Sequence, residues 1–286
     1  MKQAFMEKMT QGVFFTIAMM SVATIFLICI FLLSNAAPVL NEIGFSEFVM
    51  GRDWSPTDNP SNFGIFSMIL GSLYITAGAI AVGVPVSILT AVFLAYFCPK
   101  YIYKVIKPCV DLLAGIPSIV YGFFGMMVLV PVIKTFFGGN GSSILTASVL
   151  LGIMILPTVI SVSESAIKAV PKSYYEGALA LGTSHERSVF YAVLPAAKSG
   201  IIAAVILGIG RAVGETMAVI MVAGNQARMP AGLLKGVRSL TANIVLEMGY
   251  AADLHRDALI ATGVVLFIMI LFINLSFMFV MRRARI

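Results

Sequence analysis

The sequence predicts an all-α polytopic membrane protein with about six transmembrane helices. Three observations carry that prediction. Of 286 residues, 59% are hydrophobic and 11% charged, with mean hydropathy +0.99, whereas soluble domains run near roughly 45–50% apolar and about 25% charged. Six apolar stretches reach the length of about 20 residues needed to cross the hydrocarbon of a bilayer. Basic residues are distributed unequally between the two sides of those stretches, as orientation in a membrane demands.

The spans read Gly12–Leu33, Ile65–Phe97, Cys109–Ile133, Ile144–Ser163, Ile201–Ala223 and Ala258–Met281. The first follows Lys2 and Lys8 in the manner of a signal peptide, but its apolar core is too long and Ser34-Asn35-Ala36-Ala37-Pro38 is a weak cleavage site, so it reads as an uncleaved helix. The second is long enough to tilt or to hold an interfacial turn. The third carries AGIPSIVYGFFG, in which Gly115, Pro117, Gly122 and Gly125 permit a bend and close helix contact, with Asp111 at its inner end. With both termini inside, the cytoplasmic segments hold Lys2, Lys8, Lys100, Lys104, Lys107, Lys168, Lys172, Arg187, Lys198, Arg282, Arg283 and Arg285. The other side holds only Arg52, Lys134, Arg228, Lys235, Arg238 and Arg256. The basic excess therefore orients the chain beside anionic lipid and calls for no nucleic-acid partner.

Enzyme chemistry is not visible. Cys29, Cys98 and Cys109 lack metal-ligand spacing and read as small hydrophobes. His185 and His255 fall in loops on opposite sides, and no phosphate loop, catalytic triad or HExxH motif occurs. The outer segment Ser34–Gly64 contains WSPTDNPSNFG, a turn-rich stretch expected to lie over the outer face with Trp54 near the interface.

The segment between spans four and five, Glu164 to Lys198, is the longest polar stretch on the inner side. Ser173 is positioned to cap a short helix through Ala178, Leu179 and Leu181 that stops at Gly182, and a second short helix around Glu186–Val193 is ended by Pro195. Two short amphipathic helices joined at a glycine suit a groove on a partner protein; a hairpin lying along the membrane surface fits the local physics equally well.

Glu176-Gly177-Ala178, three residues, Gly182, nine residues, then Ala192-Val193-Leu194-Pro195 resembles the coupling loop of ABC-transporter permeases. Gly177 and Ala192 depart from the usual Ala and Ile, and Gly177 weakens the first helix slightly. AGIPSIVYGFFG, GRAVGETMAV and FGIFSMILGSLYIT extend the likeness to the phosphate-import permeases, the PstC family, over about Phe63 to Val280. The resemblance implies a type I ABC importer permease (MetI-like) fold, with residues 1–63 an N-terminal helix and loop, 64–286 the permease core and 164–198 the coupling loop. It also implies a PstA-like sister permease in a heterodimer, a PstB-like ATPase dimer that hydrolyses ATP, and a PstS-like phosphate-binding protein. The chain itself would bind no cofactor and would sit in the plasma (inner) membrane of a prokaryote.

Inside the fifth span, GIGRAVGETMAV carries Arg211 and Glu215. In an unbroken helix this i, i+4 pair lies on one face within reach. Each ionised group at the bilayer centre costs roughly 2.5–3.5 kcal/mol on insertion scales, so the pair has a reason to exist. Either it is an internal ion pair that fixes packing, or Arg211 is an anion ligand whose planar donors suit phosphate oxygens. In the second reading Glu215 holds Arg211 until substrate arrives, or accepts a hydrogen bond from protonated phosphate. Gly208, Gly210 and Gly214 are then expected to leave a channel-facing surface free of bulk. Permeases for sulfate or molybdate are the near alternative, and an ion-coupled secondary transporter the distant one. The latter would show inverted repeats or further intramembrane charges, which the sequence lacks.

Overall fold

The computed structural model describes residues 2–284; of the inner charges, Arg285 and the side chains of Lys2, Lys8, Arg282 and Arg283 lie outside the described residues. Among the described residues six helical spans are long and apolar enough to cross a bilayer, Met9–Met50, Phe66–Phe97, Ser118–Phe137, Ile144–Lys168, His185–Gly214 and Asp253–Ser276.

α1 (Lys2–Val39) exceeds the expected first span and continues through a π turn at Leu40–Gly44 into α2 (Phe45–Met50). The turn-rich stretch folds into a hairpin of β1 (Trp54–Ser55) and β2 (Asn62–Phe63), with Trp54 paired to Phe63. Trp54 is buried rather than interfacial, because its indole N–H has a carboxylate to meet inside the protein. Ala36, Val39, Phe48, Trp54 and Phe63 form one core cluster with Leu240, Leu259 and Val264, so the N-terminal segment is packed onto the last span.

α3 (Phe66–Val92) ends in a π turn at Phe93–Phe97, and α4 (Lys100–Ala114) follows. The third span begins later than expected. Cys109 and Asp111 belong to α4, an amphipathic helix, and Gly115-Ile116-Pro117 separates it from α5 (Ser118–Phe124), a π turn at Gly125–Leu129 and α6 (Val130–Phe137). Proline 117 disfavours helical geometry in the residue before it, which places the break there.

α7 (Ile144–Lys168) is the central helix: 67% of its most apolar window is buried, against 28% or less for the other spans. Its main partner is α3. A Cβ on Gly83 would lie 2.7 Å from the Gly152 carbonyl, so glycine there lets the two backbones approach. Glu164 and Lys168 are the last turn of α7, not the start of a loop.

α8 (Lys172–Ala180) begins after Pro171 with no side-chain cap, so Ser173 is not its cap. Ser184 instead caps α9 (His185–Ser188), its Oγ accepting from Arg187 N–H. Pro195 does not end that helix. A π turn at Val189–Val193 widens the backbone just where a proline would clash with the preceding turn and remove a donor, and α10 (Leu194–Gly214) continues without interruption. α11 (Met217–Val222), a short α12 (Leu240–Glu247) and α13 (Asp253–Ala284) complete the described residues.

Candidate functional site

The expected fifth span is broken inside its most polar motif. α10 stops at Gly214, and Glu215 has φ −71° and ψ 132°, an extended conformation. Arg211 and Glu215 are therefore not one turn apart on a continuous helix, and among the described residues no ion pair joins them. Glu215 is committed elsewhere. Its Oε1 accepts from the N–H groups of Thr216 and Ala218, both at 3.1 Å, at the start of α11. Two unsatisfied amides at a helix start are a natural partner for a carboxylate. The packing reading of the pair thus fails, and so does the idea that Glu215 restrains Arg211 by contact.

Arg211 is half-buried with no carboxylate within salt-bridge distance among the described residues. On α5 the Tyr121 hydroxyl donates to the Leu113 carbonyl at 2.9 Å. Hydroxyls converge on the break. Ser72 and Thr76 of α3 and Ser239 line the same narrow gap as Glu215, and Thr241 Oγ1 donates to the Glu215 carbonyl at 3.0 Å. Of the three glycines beside them, Gly210 and Gly214 face open space as expected. Gly208 does not: a Cβ there would meet Val159 Cγ2 at 2.6 Å, so it serves contact with α7. Arg211 is not among the residues lining that gap, and Ser72 and Ser239 accept there from the Leu240 and Ala242 N–H groups, so what is left available to an oxyanion is the guanidinium itself.

At the opposite end of α10, Gly182 takes φ +81°, the left-handed turn that lets α8 and α9 fold back on each other. Glu176, Gly177 and Gly182 are exposed and Ala178 is half-buried. Leu194 and Pro195 are not in the loop but in the first turn of α10. The loop is tied to α3: Tyr175 Oη lies 2.7 Å from His185 Nδ1, and the His185 ring sits 4.7 Å from that of Phe97 and packs edge-on to Tyr175. Leu181 and Tyr191 on this loop are 86% and 81% exposed.

Residues 83–284 match the family described as binding-protein-dependent transport system inner membrane component. The chain belongs to this family. The permease is 37% identical over 246 residues to the probable ABC transporter permease protein YqgH of Bacillus subtilis, covering 85% of this chain and 78% of that one. It is 34% identical over 262 residues to the phosphate transport system permease protein PstC of Mesorhizobium japonicum, covering 84% and 79%. Solved structures share its fold: an alginate ABC transporter chain aligns with TM-score 0.65 at 16% identity over 94% of both chains. A chain of the MetNI methionine ABC transporter aligns with TM-score 0.58 at 19% identity, covering 77% of this chain and 94% of that one. The fold is that of a type I ABC importer permease, a multi-pass membrane subunit that is not itself an enzyme. Such permeases work with an ATPase and a substrate-binding protein.

The permease also carries two charge clusters that sequence reading missed, because their members are scattered along the chain. On the side of α12, Glu247 is buried among Arg238, whose Nη1 donates to Oε1, Trp54, whose Nε1 donates to Oε2 at 2.8 Å, and His255 at 2.9 Å. This node joins the N-terminal hairpin, the loop before α12 and the start of α13. On the coupling-loop side, Glu164 is buried against Lys168 at 2.6 Å, Lys107 at 3.3 Å and Tyr103 Oη at 2.7 Å. Lys107 also holds Asp111 at 3.0 Å, and this hydrogen bond keeps the Asp111 carboxyl below its ordinary range. The cluster fastens α4 to α7, and the i, i+4 pairs Lys107–Asp111 and Glu164–Lys168 are its legible traces.

Proposed function

We propose that this permease imports inorganic phosphate, forming half of the translocation path with a PstA-like sister permease. In this reading a PstB-like ATPase dimer engages the loop 164–198 through the face carrying Glu176, Gly177, Ala178 and Gly182, with Leu194 and Pro195 anchoring its root. A PstS-like protein delivers phosphate from the other side, and both termini are cytoplasmic. Residues 64–286 form the translocating core and 1–63 brace it from outside. The chain holds no cofactor; ATP is used by the partner.

The observation that carries this reading is the guanidinium of Arg211, left without a carboxylate partner in the last turn of α10 before the break at Gly214. Guanidinium cannot lose its proton at any physiological pH and presents paired donors to phosphate oxygens. One guanidinium balances a doubly charged anion poorly, which calls for a second cation from the sister subunit. The phosphate permease among the relatives supports the choice of anion.

The test is uptake by the four-component complex in proteoliposomes, with labelled phosphate, sulfate and molybdate offered separately. Phosphate uptake that needs both ATP and the binding protein is the expected result. Preferential uptake of sulfate or molybdate, or uptake by this subunit alone, would refute it.

A further inference from the structure

A second polar site lies at the far end of α7 from the coupling loop. The loop Gly138–Ser143 and the loop Gly224–Ser239 face each other there across a cavity of about 320 Å³. The walls are held by backbone bonds. Ser143 N–H donates to Val222 O at 3.0 Å, Ile144 N–H to Lys235 O at 3.1 Å, Leu145 N–H to Leu233 O at 2.9 Å, and Val237 N–H to Ala223 O at 2.9 Å. Gly224, at φ +84°, brings the two loops together: a Cβ on it would lie 3.1 Å from Gly236 Cα and 3.3 Å from Ser142 O.

The lining is one-signed. Arg228 and Lys235 supply two cations, Asn140, Ser142 and Gln226 supply neutral hydrogen-bonding groups, and no carboxylate lines the cavity. Two groups in the wall lack a partner within the described residues. Gly236 is buried, yet its N–H donates to no protein acceptor, and the buried Gln226 Oε1 receives no hydrogen bond. Buried polar groups normally find partners, and while Gln226 Oε1 is closed off from the cavity, the unpartnered Gly236 amide belongs to a wall that also carries two cations, a set that asks for an acceptor-rich anion. A tetrahedral oxyanion supplies those acceptors. The volume holds such an anion with several waters, each water occupying about 30 Å³ in the liquid.

We infer that this cavity is a receiving site for a tetrahedral oxyanion, reached before Arg211 on the way inward. The inference rests on phosphate as the transported substrate and on the coupling loop being cytoplasmic. Arg228 and Lys235 are exposed, so their charges are screened and the site is weak, with a dissociation constant on the order of 1 mM. Weakness suits the role: an anion released by the binding protein is held at the mouth without being trapped there.

The experiment uses the permease–ATPase complex in nanodiscs, without binding protein, after replacing Cys29, Cys98 and Cys109 by Ala. Leu234→Cys places one thiol in the lining, and its rate of reaction with a negatively charged methanethiosulfonate is measured. Inorganic phosphate at ten times the expected constant should slow labelling by at least about threefold, while chloride at matched ionic strength should not. The protection should vanish in Arg228→Gln/Lys235→Gln, whose basal ATP hydrolysis should be unchanged. Absent protection, equal protection by chloride, or protection that survives the double substitution overturns the assignment. Phosphate uptake by the same preparation, supplied with binding protein, separates the two ideas. Uptake without protection removes only the cavity site, whereas a complex that imports no phosphate removes the assigned substrate and the cavity's role with it.

Discussion

Replacing Arg211 with Gln removes the charge while keeping a polar side chain of similar length. In the structure no carboxylate is stranded by this change, since Glu215 is bonded to the Thr216 and Ala218 amides. The 3–5 kcal/mol cost typical of breaking a buried pair, which is about what removing one partner would cause, should therefore not appear. On the proposed function, what is lost instead is contact with the passing anion. Hydrogen bonds to charged groups are worth roughly 1.5–3 kcal/mol each. Losing a pair of them costs about 3 kcal/mol or more at the rate-limiting passage, or at least about 100-fold in uptake. Arg211→Lys should recover little, because a point charge cannot reproduce the planar donor fork. The assay is labelled phosphate uptake at matched membrane levels, with thermal stability and basal ATP hydrolysis measured alongside, for Arg211→Gln, Glu215→Gln and the double variant. Both singles should assemble, and the two changes should be additive in stability to within about 0.5 kcal/mol, as for residues without a shared partner. A double variant that regains stability and wild-type-like uptake would refute the reasoning, by showing that the two charges exist for each other.

Gly182→Val should insert and fold yet lose co-purification with the ATPase, since a β-branched residue at φ +81° costs on the order of 1–3 kcal/mol of local strain. Gly182→Asn should retain both, because Asn tolerates that region; loss in Asn equal to that in Val would show that the turn geometry is not the cause. Glu247→Ala strands Arg238 and should destabilise the protein by about 3–5 kcal/mol. Trp54 is the single tryptophan, so its emission should shift to the red as its carboxylate partner disappears, and an unchanged spectrum would count against the node. Leu181→Asp should leave thermal stability within about 0.5 kcal/mol, as exposed substitutions do, while lowering ATP-driven uptake; normal uptake would mean that this exposed face docks nothing.

Spans, class and the loop turn were legible because they rest on composition, period and one glycine. The break after Gly214 was not. Arg211 and Glu215 have helical spacing, and nothing local announces that Glu215 will serve α11's amides instead of extending α10. The same holds for Pro195, which reads as a stop in one dimension. A π turn four residues earlier absorbs it, and that choice depends on Val189, Val193 and Ala197 being buried against Ala91, Val92 and Ile167. The Glu247 node draws on residues 54, 238, 247 and 255, whose proximity is a product of the fold and has no sequence signature.

Because the helix from His185 runs without a break to Gly214, Arg211 and the coupling loop are opposite ends of a single lever. The 26 residue-to-residue steps from His185 to Arg211 span about 39 Å at about 1.5 Å per step. Its bearing is the row of small residues facing α7, where Gly200 meets Ala166 and Gly208 meets Val159. Gly208 lies one turn from Arg211, so the fulcrum is close to the guanidinium and the long arm runs to the loop end at His185. A tilt of about 5° about Gly208 then moves the loop end by about 3 Å and Arg211 by less than about 1 Å. Under the proposed function, large strokes at the loop would become small adjustments at the guanidinium, the gearing that loosening one hydrogen-bonded ion without pulling the bundle apart requires.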